Sequence, residues 1–287
     1  MNTPATAIAP RTWTLWAAVV LAAGAAVLHT FVQTGPTIGA LMDGNTPAEA
    51  RQSLRMMWHG MSAIAWTYPV VLLLMRGAAA EVARPVLGLI TLLAGSEALL
   101  QAVAGLRADS EAGLLLLPQW TLYAAVAALA WLARPHGTAQ GPTQPVRRGR
   151  GRLVLLWFTM ILGFVAAVYH AVWGTLDQWA AALLVSDTPV GPKLTLYAMW
   201  LFSCVVFIAV PVTLTWSLRA PTAAGRFAVR YVAVLIAALM VSWTVTLVLG
   251  FGPDMKPVGP PFLGLLVALT AACAPPRVRS ETPLNRR

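Results

Sequence analysis

Apolar residues run in long blocks along this chain, and the polar residues gather in the breaks between them. A polar lead, Met1–Arg11, precedes a first block at Trp13–Gln33. The next three cover Met56–Met75, Pro85–Leu106 and Leu114–Leu132. Residues 134–152, rich in Gly, Pro and Arg, interrupt the pattern before blocks near Leu153–Trp173, Leu194–Trp216, Phe227–Phe251 and Val258–Cys273. These lengths approach or exceed the ~20 residues a helix needs to cross a bilayer. None shows the ~10-residue alternation of a membrane β-strand. The pattern predicts an all-α polytopic membrane protein with eight transmembrane helices. The first block exceeds the roughly 7–15-residue apolar core of a signal peptide, and is read as a helix of the mature protein.

Two stretches repeat one another. Ala25–Trp58 contains AAVLHTFVQTG and LMDGNTPAEARQSLRMMW, and Ala166–Trp200 contains AAVYHAVWGT and LLVSDTPVGPKLTLYAMW. His29 pairs with His170 at an offset of 141. Thr46-Pro47 pairs with Thr188-Pro189, Arg51 with Lys193, and Met57-Trp58 with Met199-Trp200, all at 142. The third helices pair Arg84 with Arg230 and Ser96 with Ser242 at 146, and the fourth pair only loosely, through Pro118 and Pro261. Such a pattern reads as a tandem 4+4 parallel internal repeat. Four spans per half give both halves one orientation, so they are expected to be related by an axis along the membrane normal. The expected units are residues 1–133 (first repeat), 134–152 (basic linker), 153–275 (second repeat) and 276–287 (polar tail). In the first connecting loop, Thr46-Pro47-Ala48-Glu49 predicts a capping box with proline at the first helical position, opening a short surface helix.

Composition agrees with a membrane class. Of 287 residues, 58% are hydrophobic and 10% are charged, against about 25% charged in soluble domains. The formal charge of +10 would suggest nucleic acid in a soluble protein. Here its distribution gives a plainer cause, and no nucleic-acid partner is expected. With the N-terminus in the cytoplasm, that side holds Arg11, Arg76, Arg84, Arg134, Arg147, Arg148, Arg150, Arg152, Arg219, Arg226, Arg230, Arg277, Arg279, Arg286 and Arg287. The outer loops hold Arg51, Arg55, Arg107, Lys193 and Lys256. Fifteen against five satisfies the positive-inside rule. It predicts the inner (cytoplasmic) membrane with both termini cytoplasmic. The two cysteines, Cys204 and Cys273, fall in different apolar blocks and suggest neither a disulfide framework nor a Cys-based zinc site.

Few residues inside the spans carry chemistry. Glu97 lies nine residues from the outer end of the third helix, about 14 Å deep at ~1.5 Å per residue. A carboxyl at that depth is costly and must face the bundle interior. Gln101 follows one turn later on the same face. Together they suggest a proton relay or a ligand anchor. His29, His59 and His170 are predicted at similar depth in the outer leaflet, where neutral imidazoles on different helices could ligate b-type haem or a metal ion. The tryptophans, among them Trp58 and Trp200, fall near predicted span ends and read as interfacial belts. His136 falls in the linker and reads as solvated. No Walker loop, GxGxxG, HExxH, GxSxG or C-x-x-C-H motif occurs, so nothing points to a soluble catalytic domain.

Three functional readings follow. The favoured one is binding or transport of a small molecule or ion within the bundle, reached from the outer side, with Glu97, Gln101, His29 and His170 lining the site. The second is a membrane redox protein holding haem or a metal on His29, His59 and His170. The third is a structural or assembly factor.

Overall fold

In hydrocarbon no water is present to satisfy a bare peptide group, so an apolar segment closes its own hydrogen bonds as a helix. The computed structural model describes residues 12–107, 113–135, 149–176, 179–220, 222–249 and 259–275. Among these residues there is no strand. The helices are α1 (Thr12–Val27), α2 (Thr34–Asp43), α3 (Ala48–Met75), α4 (Ala80–Leu106), α5 (Trp120–Leu132), α6 (Arg150–Leu176), α7 (Trp179–Val185), α8 (Val190–Ser217), α9 (Thr222–Val248) and α10 (Gly259–Ala272). The tail at 276–287 and linker positions 136–148, His136 included, lie outside the described residues.

Six helical segments are long and apolar enough to cross a membrane: Thr12–Asp43, Ala48–Met75, Ala80–Leu106, Arg150–Val185, Val190–Ser217 and Thr222–Val248. The chain is thus an all-helical protein of multi-pass character. The other two expected spans are shorter than their apolar blocks. Helices α5 and α10 have 13 and 14 residues, about 20 Å at ~1.5 Å per residue, against a hydrocarbon core of about 30 Å. In the first case Pro118 is the cause. It lacks an N–H and disfavours helical geometry in the preceding residue, and it separates a 3₁₀ turn, Gly113–Leu116, from α5.

The loop expected after the first span is largely helical. A π-turn at Leu28–Val32 carries α1 into α2. Helix α3 then runs for 28 residues without a break, so no separate surface helix opens at Thr46. The expected capping box is also absent. Pro47 is the cap residue, at φ −52° and ψ 145°, and no side chain bonds the helix start. The Thr46 hydroxyl is buried without a partner. The proline ring alone presets the turn, and Pro189 does the same for α8 at φ −53° and ψ 146°. Helices α3 and α8 have equal length, as do α4 and α9, and both pairs of ends are 142 residues apart. By these ends Arg84 corresponds to Arg226 and Glu97 to Leu239, one helical turn away from the pairing expected at 146.

Two four-helix groups result. In the first, α1 packs on α3 and α5, and α5 packs on α4; in the second, α6 packs on α8 and α10, and α10 packs on α9. The groups meet through α3 against α9 and α4 against α8. Short helices cross over reciprocally, α2 resting on α8 and α7 on α3. Between them the Asn45 amide donates to Asp187 Oδ1 at 2.8 Å, and the Asp187 amide donates to Asn45 Oδ1 at 3.1 Å.

Candidate functional site

Alanines at 18, 22, 25 and 26 leave α1 with a slim face that is fully buried, and small residues of this kind let membrane helices approach closely. Trp58 of α3 has no exposed surface. Its indole Nε1 donates to Thr34 Oγ1 at 2.8 Å, and Thr34 donates to the Thr30 carbonyl at 2.7 Å. The His29 ring stacks on Trp58 with centroids 4.0 Å apart and planes at 21°. In the second group Trp200, equally buried, donates to Thr175 Oγ1 at 3.0 Å. There His170 stacks on it at 3.9 Å and 19°. A wholly buried indole requires a partner for its N–H, and a threonine supplies it in each place. These two tryptophans are core anchors, contrary to the belt expected of them. Trp13 at 69% and Trp131 at 57% exposure do lie outward near helix ends.

The two histidines differ in their remaining bonds. His170 Nε2 lies 3.3 Å from the Trp200 carbonyl oxygen and shares a short hydrogen bond with Ser203 Oγ. His29 is 4% exposed and its Nε2 has no partner. Met61 stands where the 142 offset would place a counterpart of Ser203. His59 follows Trp58 in α3, within electrostatic reach of His29, and lines a groove with Ala63, Ser242 and Thr246. Each of His29 and His170 is thus engaged with its own tryptophan. Among the described residues no three His, Cys, Asp or Glu side chains are grouped so as to hold a metal ion.

A second polar cluster lies inside the first helix group. Glu97 on α4 is 4% exposed. Tyr68, from α3, donates its hydroxyl to Glu97 Oε2 at 3.5 Å. Tyr123, from α5, stands beside the same carboxyl, at a geometry that closes no hydrogen bond. Gln101, one turn along α4, has no exposed surface, and neither its Oε1 nor its Nε2 finds a partner. Native interiors pair nearly all buried polar atoms, so three orphaned ones within two helical turns call for an explanation. Tyr231 on α9 is buried nearby and bonds Thr67 Oγ1 at 2.9 Å.

Glu97 and Gln101 therefore lie together as the sequence reading requires, while His29 and His170 lie in separate stacks. That reading missed Tyr68, Tyr123 and Tyr231. A signal was available, since tyrosines are only five in the chain and these three fall well inside apolar blocks, where a hydroxyl requires a partner. Which of them reach Glu97 depends on packing between α3, α4 and α5. The chain matches no protein-family model, no curated protein and no solved structure.

Proposed function

We propose that this chain is an eight-span protein of the cytoplasmic membrane, built as a tandem 4+4 repeat with both termini inside. In this reading it binds a small molecule or ion within the first helix group, reached from the outer side. Support for the repeat comes from the duplicated His–Trp–Thr geometry, the equal helix lengths and the reciprocal Asn45–Asp187 pair. On this reading α5 and α10 complete the count. The orientation rests on the fifteen-to-five distribution of basic residues.

One observation carries the binding role: the Glu97 carboxyl is buried beside polar atoms that stay without a hydrogen-bond partner. The Tyr123 hydroxyl and both polar atoms of Gln101 stay open. A buried network left partly satisfied is unfavourable. A guest that donates to the glutamine oxygen and accepts from its nitrogen would complete it. A proton or small cation on Glu97 would relieve the charge at the same point. Binding is put forward here ahead of a redox role because His29 and His170 are held in separate stacks.

Thermal unfolding of the purified protein with monovalent cations, small amines and small amides tests the site. At least one compound is expected to raise Tm in the wild type and leave Glu97→Gln unmoved. Shifts equal in both proteins, or none in the wild type across the panel, would count against it. Reporter fusions test the topology, with cytoplasmic readings expected after Ala80, Pro145 and Asn285 and external ones after Asn45, Ser110 and Thr188. An external reading at Pro145 overturns the eight-span arrangement.

A further inference from the structure

The seam between α3 and α9 is not filled by side chains. One cavity of about 580 Å³ is lined by Trp66, Val70 and Leu74 of α3 and by Arg226, Arg230 and Val234 of α9. A second, about 490 Å³, continues along the same seam past Ala63, Thr67 and Val234, which line both, to His59 and Thr246. The two form one trough running along the helices. Its first part extends from Ala63 to Leu74 on one wall and from Ala223 to Val234 on the other. Either wall is about 16 Å long at ~1.5 Å per residue, close to half of the ~30 Å hydrocarbon core. That is the depth of a single leaflet.

Among the residues that line the trough, arginine occurs at one end only. Arg226 and Arg230 are one turn apart near the start of α9, facing the last turns of α3. Arg226 is held in place by a bond from its Nε to the Pro275 carbonyl at 2.8 Å, and Arg230 is exposed. The far end offers His59, Ser242 and Thr246 and no arginine or lysine. Between the ends, the polar groups of Thr67 and Tyr231 satisfy each other at 2.9 Å, so the wall they share is effectively apolar. By helix ends the opposite seam, α4 with α8, has Arg84 in place of Arg226 but Gly88 in place of Arg230, and so lacks the pair.

We propose that this trough is a binding site for one anionic phospholipid, its phosphate held by Arg226 and Arg230 and an acyl chain laid between α3 and α9. Arginine suits the role because its planar fork can engage two phosphate oxygens at once, and basic pockets between membrane helices hold anionic headgroups. The site lies outside the Glu97 cluster and does not depend on its function.

The test is native mass spectrometry of the full-length protein, delipidated and re-exposed to phosphatidylglycerol or phosphatidylcholine. Wild type is expected to retain one phosphatidylglycerol in preference to phosphatidylcholine. Arg230→Gln should lower that retention about fivefold, the factor for one arginine near an anionic headgroup, and Arg230→Lys should restore part of it. Val70 and Val234 are about half exposed, so Val70→Trp fills the trough without entering the core and should also reduce retention. Arg219→Gln, on the same side but outside the trough, should leave it unchanged. Equal retention of both lipids, no effect of Arg230→Gln or Val70→Trp, or an equal loss with Arg219→Gln would overturn the proposal. Thermal protection by glycerol phosphate alone as large as that by phosphatidylglycerol would also overturn it, since no acyl chain would then be needed.

Discussion

At the His29 corner and at the His170 corner the same three side chains meet, a histidine stacked on a wholly buried tryptophan whose indole bonds a threonine. What surrounds them diverges. His170 has Ser203 as a partner, and Trp179 presses edge-on against Trp200 at 5.4 Å. His29 has an open Nε2. The helix groups behind the corners diverge further. The first contains Glu97, Gln101, Tyr68 and Tyr123 in its interior. At the positions 142 residues on from Tyr68 and Glu97, the second group has Val210 and Leu239, both buried. The shared corner fixes how a connecting loop returns between two spans, a problem that both groups face. The buried carboxyl answers no packing need, because the second group is closed by aliphatic residues alone at those positions. A polar cluster present in only one of two similarly packed helix groups is the natural place to look for function.

The largest expected effect tests the shared half of this comparison. Trp58→Ala and Trp200→Ala each remove a side chain with no exposed surface. Each is expected to cost about 3–5 kcal/mol, read as a fall in unfolding free energy in mild detergent. Comparable losses sharpen the equivalence of the corners. A Trp200→Ala protein as stable as wild type would break it.

Next comes the unshared half. Glu97→Gln keeps shape and polarity and should leave stability near wild type. Glu97→Leu leaves the Tyr68 hydroxyl buried without its acceptor, at a cost of about 1–3 kcal/mol. A leucine that matches wild type in stability would show that the first core closes on aliphatic contacts as the second does. The distinction between the two groups would then lose its meaning.

The smallest effect belongs to the reciprocal pair between the α2–α3 and α7–α8 connections. Asn45 and Asp187 are exposed, so replacing either by alanine should cost about 0.5–1.5 kcal/mol at most. Because each side chain bonds the other's backbone amide, the two residues are in direct contact and the two substitutions should couple by about 0.5 kcal/mol or more. Strict additivity would mean that the two bonds act independently rather than as one unit.

The membrane class could be read from sequence because burying an apolar block in lipid leaves the helix as its only hydrogen-bonded form. The six long segments follow directly from block length. Pairing of His29 with His170 and of Trp58 with Trp200 was equally visible, since both copies keep the same residue types at nearly constant spacing. The depth of Glu97, with Gln101 one turn along, needed only the helical rise.

Tertiary structure decided what composition leaves open. A tryptophan near a span end is apolar and polar at once, so its place in a belt or in the core depends on what it meets; Trp58 found the π-turn and α2, Trp200 found α6, and each bonds a threonine. Pro118 shortened α5 through a local backbone constraint that hydropathy does not register. The neighbours of Glu97 come from α3 and α5, separated from it by 29 and 26 positions, and no periodicity within α4 names them. The trough between α3 and α9 joins residues about 160 positions apart in the chain. It exists because these two helices pack across the boundary between the groups while their side chains leave the seam unfilled. Spacing along one helix is fixed by the chain itself, whereas contact between helices is fixed by which faces exclude lipid best.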